Sequence, residues 1–144
     1  MTETRVHELE TEEEWVAAFP VLNQLRTHLD EESYLDYLRE MTAEGYRFFA
    51  VSVDDEIVSL AGVGVQVNMY YGRHVWVYEL VTDADHRSAG HGSKLLSFVE
   101  DWAEVNNCEL VALSSGLQRE DAHRFYEERA GMERASYVYK QPLK

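Results

Sequence analysis

The chain has 144 residues, 45% hydrophobic and 12% aromatic, with 27 acidic against 13 basic side chains and a formal net charge of −14. This is long enough for one domain with a sizeable core and too apolar for intrinsic disorder. The negative balance argues against nucleic acid and anionic membranes as partners, and no run of eighteen apolar residues offers a transmembrane helix.

The elements follow in chain order. A short first strand is expected over Arg5 to Leu9. Thr11 and Glu14 have the spacing of a capping box, and Glu12 and Glu13 suit the positive end of a helix. Trp15, Phe19, Leu22, Leu25 and Leu29 repeat at helical spacing, and Pro20 predicts a kink or a split because it removes a backbone donor. A second helix is expected from about Glu32, with Leu35, Leu38 and Met41 inward and Gly45 at its end. Phe48 to Val53, Ile57 to Val67 and Arg73 to Thr82 read as three strands of an antiparallel meander. The third is apolar on both faces, as a central strand is. Gly90 to Asn106 is an amphipathic helix with Leu95, Leu96, Val99, Trp102 and Ala103 on one side. A short strand, Leu110 to Ser114, precedes a helix, Arg119 to Arg129, that Gly131 stops. Glu133 to Lys140 alternates through Ala135, Tyr137 and Tyr139 and is expected to be a final strand. The sum is an α/β fold: one domain over residues 1–144, with a mixed, mostly antiparallel sheet flanked by helices.

The strongest chemical signal lies between the central strand and the amphipathic helix. Asp83-Ala84-Asp85-His86 makes a turn, and Arg87-Ser88-Ala89-Gly90-His91-Gly92-Ser93 opens the helix. A helix start has unpaired N–H groups and a partial positive charge. Gly90 and Gly92 keep side chains out of the way of a large anion, and Arg87 adds a charge in reach of a phosphate. The spacing is that of neither a dinucleotide-binding fingerprint nor a Walker loop. Taken alone, it fits a pyrophosphate cradle or a tight strand-to-helix turn.

Arg87, Gly90 and Gly92 fill the three defined positions of R/Q-x-x-G-x-G/A, so the stretch resembles the acetyl-coenzyme A signature of the GCN5-related N-acetyltransferase (GNAT) family. Glu79-Leu80-Val81-Thr82-Asp83 is similar to the end of that family's fourth strand. Ala122 to Glu128 followed by Gly131-Met132 is similar to its C-terminal motif, with Met132 where a Phe is usual. The resemblance implies central strands that splay apart, with the pantetheine arm of acetyl-coenzyme A bonded to backbone groups of Leu80, Val81 and Thr82. It also implies a pyrophosphate on the amides of Ala89, Gly90, His91, Gly92 and Ser93, beside Ser88 and Arg87. The implied activity is transfer of acetyl to a primary amine of a small molecule or protein by direct attack. A non-catalytic acyl-coenzyme A-binding regulatory module is the alternative on the same fold, and a domain with no coenzyme site is a third reading.

Amine acetylation needs a group that takes the amine's proton and one that supplies a proton to the leaving thiolate. Tyr126 matches the position of the family's general-acid tyrosine; a core-facing aromatic is the plainer reading. Glu79 is the candidate base. On a regular strand it would share an apolar face with Val75, Val77 and Val81, which raises a carboxyl's pKa. An ion pair with Arg119 or Arg124 is the competing reading.

Ser114-Ser115-Gly116 and Gln118-Arg119 flank the last helix and read as ligand contacts or as caps. His74, His86, His91 and His123 lack the spacing of a helical metal site, so no metal is expected. His91 reads as a phosphate contact or a solvated side chain, and Tyr70-Tyr71 as an entrance or as plain loop residues. Cys108, the single cysteine, has no activating neighbour and reads as structural. The polar, acidic start from Met1 to Glu14 is unlike a secretory signal, and a cytoplasmic location is expected. Only Lys94, Lys140 and Lys144 are lysines. This suits a salt-adapted organism or an ordinary acidic bacterial enzyme. The aromatic final strand is the expected contact of a homodimer, by analogy with the fold.

Overall fold

The computed structural model describes residues 2–144. They fall into two compact units, one ending at Ala112 and the other spanning Leu113–Lys144.

In the first unit β1 (Thr4–Glu8) leads into α1 (Glu12–Leu25), whose Thr11 N-cap and Glu14 form the expected capping box. α1 continues through Pro20 as one helix. Pro20 is exposed, so water can satisfy the carbonyl that loses its donor, and the expected split does not occur. α2 (Glu31–Ala43) starts on a second box, Asp30 with Ser33. β2 (Arg47–Val53), β3 (Glu56–Asn68) and β4 (Gly72–Thr82) follow as the meander, then α3 (His91–Val105) and β5 (Leu110–Leu113). The sheet order is β1-β2-β3-β4-β5, with antiparallel pairing from β1 through β4. The Glu109 amide donates to Arg73 O at 2.7 Å, so β5 begins beside the start of β4 and the two run in the same direction. The result is a five-stranded mixed sheet flanked by helices.

Each face of the sheet carries its own core. Trp15, Ala18 and Leu22 of α1 and Tyr34 and Leu38 of α2 pack with Phe48, Leu60 and Val81 on one face. On the other, Phe49 sits edge-on to Phe98 and Trp102 of α3, with ring centroids 5.0 and 5.6 Å away. Two buried polar groups anchor α1: Trp15 Nε1 donates to Leu9 O, just after β1, at 3.1 Å, and Tyr34 Oη of α2 donates to Trp15 O at 2.7 Å.

β4 carries a bulge. Val63 pairs with Val77 and Gly62 with Glu79, which leaves Tyr78 as an extra residue. An extra residue resets the in–out alternation of a strand. Val75 and Val77 therefore face α3, whereas Glu79 and Val81 face α1 and α2. This corrects the expectation that Glu79 shares a face with Val75 and Val77.

In the second unit α4 (Glu120–Arg124) runs directly into a π-helical turn, Phe125–Arg129, closed by Ala130 N donating to Phe125 O at 3.0 Å. Gly131 takes φ +68°, a left-handed stop. Residues 131–144 form no regular structure, so the strand expected over Glu133 to Lys140 is not present. Alternation supplies a face but not a partner. Tyr137, Val138 and Tyr139 are 74%, 71% and 90% exposed, and among the described residues no strand pairs with them. Among the described residues no helix is long and apolar enough to cross a membrane.

Candidate active site

The β4–α3 connection is built as an open corner. After a 3₁₀ turn, Ala84–His86, Ser88 and Gly90 take φ values of +67° and +81°. Gly90 is the N-cap of α3, and no side chain caps the helix. The first helical bond is Lys94 N to Gly90 O, so the amides of His91, Gly92 and Ser93 have no partner within the helix. Among the described residues no amide from Arg87 to Ser93 donates to a loop carbonyl or a side chain. Nothing lies within 4 Å of the position a Cβ would take on Gly90. Arg87, Ser88, Ala89 and Gly90 are exposed, and Arg87 Nε lies 3.5 Å from Thr82 O, near the limit of a hydrogen bond.

The turn itself is fixed from α1. Gln24 Nε2 donates to Asp83 Oδ1 at 2.6 Å, the Ala84 amide donates to Gln24 Oε1 at 2.9 Å, and His86 Nδ1 lies 2.6 Å from Asp83 Oδ2. These contacts hold the Asp83 carboxyl below the usual carboxylate range, Gln24 first and His86 next. Glu56, Asp83 and His86 also bring ligand-type atoms within 4.8 Å of one another. The hydrogen bonds account for the approach of Asp83 and His86.

Strand geometry divides the three coenzyme-contact candidates on β4. The Asp83 amide donates to Val58 O and the Val81 carbonyl accepts from Ser59 Oγ, so both point toward β3. By alternation the backbone groups of Leu80 and Thr82 point the other way. Those two, and not Val81, offer outward donors and acceptors.

Glu79 lies at the floor of a cavity of about 380 Å³ formed by α1, α2, the loop between them and the sheet. Its side chain is 13% exposed. Tyr46 Oη donates to Oε2 at 2.6 Å, and Arg26 Nε approaches Oε1 at 3.4 Å. Arg26, the residue that ends α1, is held by a second bond from Nη2 to Tyr78 O at 2.7 Å. Burial pushes the Glu79 carboxyl above its ordinary value, and the Tyr46 hydrogen bond and the Arg26 charge only partly oppose it. The same burial, with Glu79 adding to it, drives the Tyr46 hydroxyl well above the ordinary phenol range. A Cβ on Gly62 would overlap the Tyr46 hydroxyl and lie 2.6 Å from Glu79 Oε2, so only glycine fits between them.

The ion-pair partner of Glu79 is thus Arg26 and not the expected Arg119 or Arg124. Tyr46, Arg26 and Gly62 were missed in the sequence. Gly62 carried the one available signal, because a glycine inside a strand often marks a close approach.

In the second unit Tyr126 lies on the π-helical turn, 9% exposed, its ring edge-on to Phe125. Burial raises the Tyr126 hydroxyl's pKa, while the Arg119 charge and hydrogen bond pull it down. His123 Nε2 lies 2.8 Å from Gly116 O and the Arg119 amide donates to the same carbonyl at 3.0 Å, which ties the Ser114-Ser115-Gly116 segment to α4. Ser115 Oγ is buried without a hydrogen-bond partner. His74 is buried in β4 with Nδ1 against Gly72 O, and Cys108 is a half-buried thiol.

The model of the acetyltransferase (GNAT) family matches residues 9–132. The chain belongs to this family. A relative, the uncharacterized N-acetyltransferase YhdJ of Bacillus subtilis (strain 168), is 41% identical over 137 residues, covering 94% of this chain and 96% of that protein. The aminoalkylphosphonate N-acetyltransferase of Salmonella typhimurium is 27% identical over 104 residues, 71% of this chain and 68% of that one. Among solved structures, the aminoglycoside N-acetyltransferase AAC(6')-Iy in complex with CoA superposes with a TM-score of 0.87 at 12% identity, over 100% of this chain and 97% of that one. A Trypanosoma brucei acetyltransferase reaches 0.80 at 20%, over 98% and 100%. At such identities these two likenesses show the fold. GNAT membership and the two sequence relatives support acetyltransferase activity.

Proposed function

We propose that the chain is a single acetyltransferase domain that moves the acetyl group of acetyl-coenzyme A to a primary amine by direct attack. The observation that carries this reading is Glu79: a buried carboxylate of raised pKa at the floor of a cavity, one residue before the outward-facing backbone of Leu80. A base of raised pKa is matched to taking a proton near neutrality.

The residues of the β4–α3 corner fit the coenzyme. Unpartnered amides at His91, Gly92 and Ser93, a helix N-terminus and the open space over Gly90 suit a diphosphate, and Arg87 adds an exposed positive charge. Leu80 and Thr82 offer strand-like hydrogen bonds to an amide-bearing arm. Bound acetyl-coenzyme A supplies an acyl group activated as a thioester. Glu79 takes one proton from the amine nitrogen, directly or through water. As the nitrogen–carbon bond forms and the carbon–sulfur bond breaks, the second amine proton passes to solvent, Tyr126 Oη donates its proton to the sulfur, and Tyr126 is reprotonated from solvent. The role of Tyr126 rests on its place in the family motif, and its raised pKa keeps that proton in place.

The test is free-thiol release from acetyl-coenzyme A across a panel of amines, with coenzyme binding followed by titration calorimetry. Turnover in the wild type that falls about 100-fold or more in Glu79→Gln, with coenzyme affinity kept, supports the reading. Tight binding without turnover on any amine supports a regulatory module instead.

A further inference from the structure

The cavity above Glu79 has a chemistry of its own that narrows the acceptor. Its wall is aliphatic and aromatic, with Leu29, Tyr37 and Met41 among the lining residues, and Glu79 is its sole carboxylate. The polar groups that reach it are mostly committed elsewhere. Tyr34 Oη donates to Trp15 O, Tyr46 Oη donates to Glu79, and Arg26 uses Nε and Nη2 on Glu79 and Tyr78 O. What these residues offer a ligand is ring face and hydrocarbon. Only His28 and Tyr37, both exposed, bring further hydrogen-bonding side chains.

We infer that the acceptor is a small primary monoamine with an apolar skeleton, alkyl or arylalkyl. This rests on the proposed function and assigns the substrate class of the same site. Three physical arguments carry it. A polyhydroxylated amine, such as an amino sugar, gives up hydrogen bonds to water on entering, and a wall with committed polar groups does not replace them. A diamine brings a second ammonium, which finds no second carboxylate and meets the Arg26 guanidinium instead. An apolar skeleton gains from burial against leucine, methionine and ring faces, and an ammonium beside tyrosine rings is favoured electrostatically. The volume, about 380 Å³, lies near the small end of ligand sites.

The experiment uses the full chain with 2-phenylethylamine, 3-methylbutylamine, putrescine, glucosamine and a peptide amine. Thiol release gives kcat/KM for each, and calorimetry with coenzyme A present gives amine affinity whether or not turnover occurs. The expected result is that the two apolar monoamines exceed putrescine, glucosamine and the peptide by about tenfold or more in both readouts. Met41→Glu, which adds a second carboxylate to the wall, should move the preference toward putrescine. Turnover that favours glucosamine, the peptide or putrescine in the wild type overturns the inference and leaves the acetyltransferase reading intact. Absent turnover with the expected binding order overturns the enzymatic reading and keeps the chemistry of the cavity.

Discussion

The Tyr46 hydroxyl reaches Glu79 Oε2 at 2.6 Å by passing over Gly62, the residue of β3 that pairs with Glu79. A side chain at Gly62 would occupy the same space as that hydroxyl. Three consecutive segments of the sheet are therefore committed to the setting of one carboxylate: the entry to β2, the middle of β3 and the bulge of β4.

Gly62→Ala tests that dependence. The added methyl must displace Tyr46 or Glu79, and overpacking of this kind costs about 1–3 kcal/mol. The melting temperature should fall by several degrees, and kcat should fall with it. Coenzyme affinity should hold, because the α3 corner is untouched. A variant with wild-type stability and rate would mean that Tyr46 relocates freely.

Tyr46→Phe removes the donor and keeps the ring. Glu79 then loses a contact that lowers its pKa while the burial that raises it remains. A base works ionised, so the acid limb of kcat/KM against pH marks the Glu79 titration. In the wild type that limb should lie above the ordinary carboxylate range, and in Tyr46→Phe higher still. Near neutrality the variant should lose about tenfold in rate, the order expected for a charge-assisted hydrogen bond, and should recover part of it as pH rises. A uniform loss at all pH values would make Tyr46 merely structural.

The parts legible in the sequence were those written in local pattern. Thr11 with Glu14 announced α1, and the run Val75 to Val81 announced a buried central strand. Gly90 announced the turn it makes at φ +81°. The Glu79 environment was not legible, because its partners come from positions 26, 46 and 62 and meet only through tertiary packing. The bulge at Tyr78 hid the true face of Glu79, since a single inserted residue inverts every inference from alternation. The segment Glu133 to Lys140 shows the converse: it has a strand's pattern and lacks a partner.

The corner at Gly90 yields a separable pair of variants. Gly90→Ala places a methyl where phosphate is expected and strains a left-handed backbone by about 1 kcal/mol. Arg87→Ala leaves the backbone alone and removes one exposed charge. Both should weaken coenzyme A binding by about tenfold, the first nearly independent of salt and the second less so as ionic strength rises. Calorimetry at low and high salt reads the difference. Unchanged affinity in both would remove the diphosphate from this corner.

Tyr126→Phe addresses the leaving thiolate. A departing thiolate is a weaker base than a phenolate, with a free-thiol pKa of about 8.5 against about 10, so the neutral phenol helps by donating to the sulfur while the carbon–sulfur bond breaks and not through its acidity alone. Losing it should lower kcat by about 100-fold with coenzyme affinity preserved. The loss should shrink when the thioester carries a more acidic thiol, which leaves without help. A defect of equal size with both thioesters would point to packing around Phe125.

Glu79→Gln separates the carboxylate's chemistry from its cost to the fold. Burial raises the Glu79 pKa in the folded state, so the protonated form is the one the fold favours. The stability this contributes is complete below the ordinary carboxylate pKa of about 4.3 and is lost as pH climbs through the raised folded value. Glutamine keeps an acceptor for Tyr46 Oη and never ionises. The melting temperature of the variant relative to wild type should therefore move in the variant's favour across that window and level off above it. The attraction of Arg26 acts only on ionised Glu79 and is already contained in the folded-state pKa, so it lessens the slope without reversing it. Thermal unfolding of both proteins from pH 4 to pH 8 reads it, and a flat or inverted difference would mean that Glu79 is solvated in the folded protein and unsuited to act as a base near neutrality.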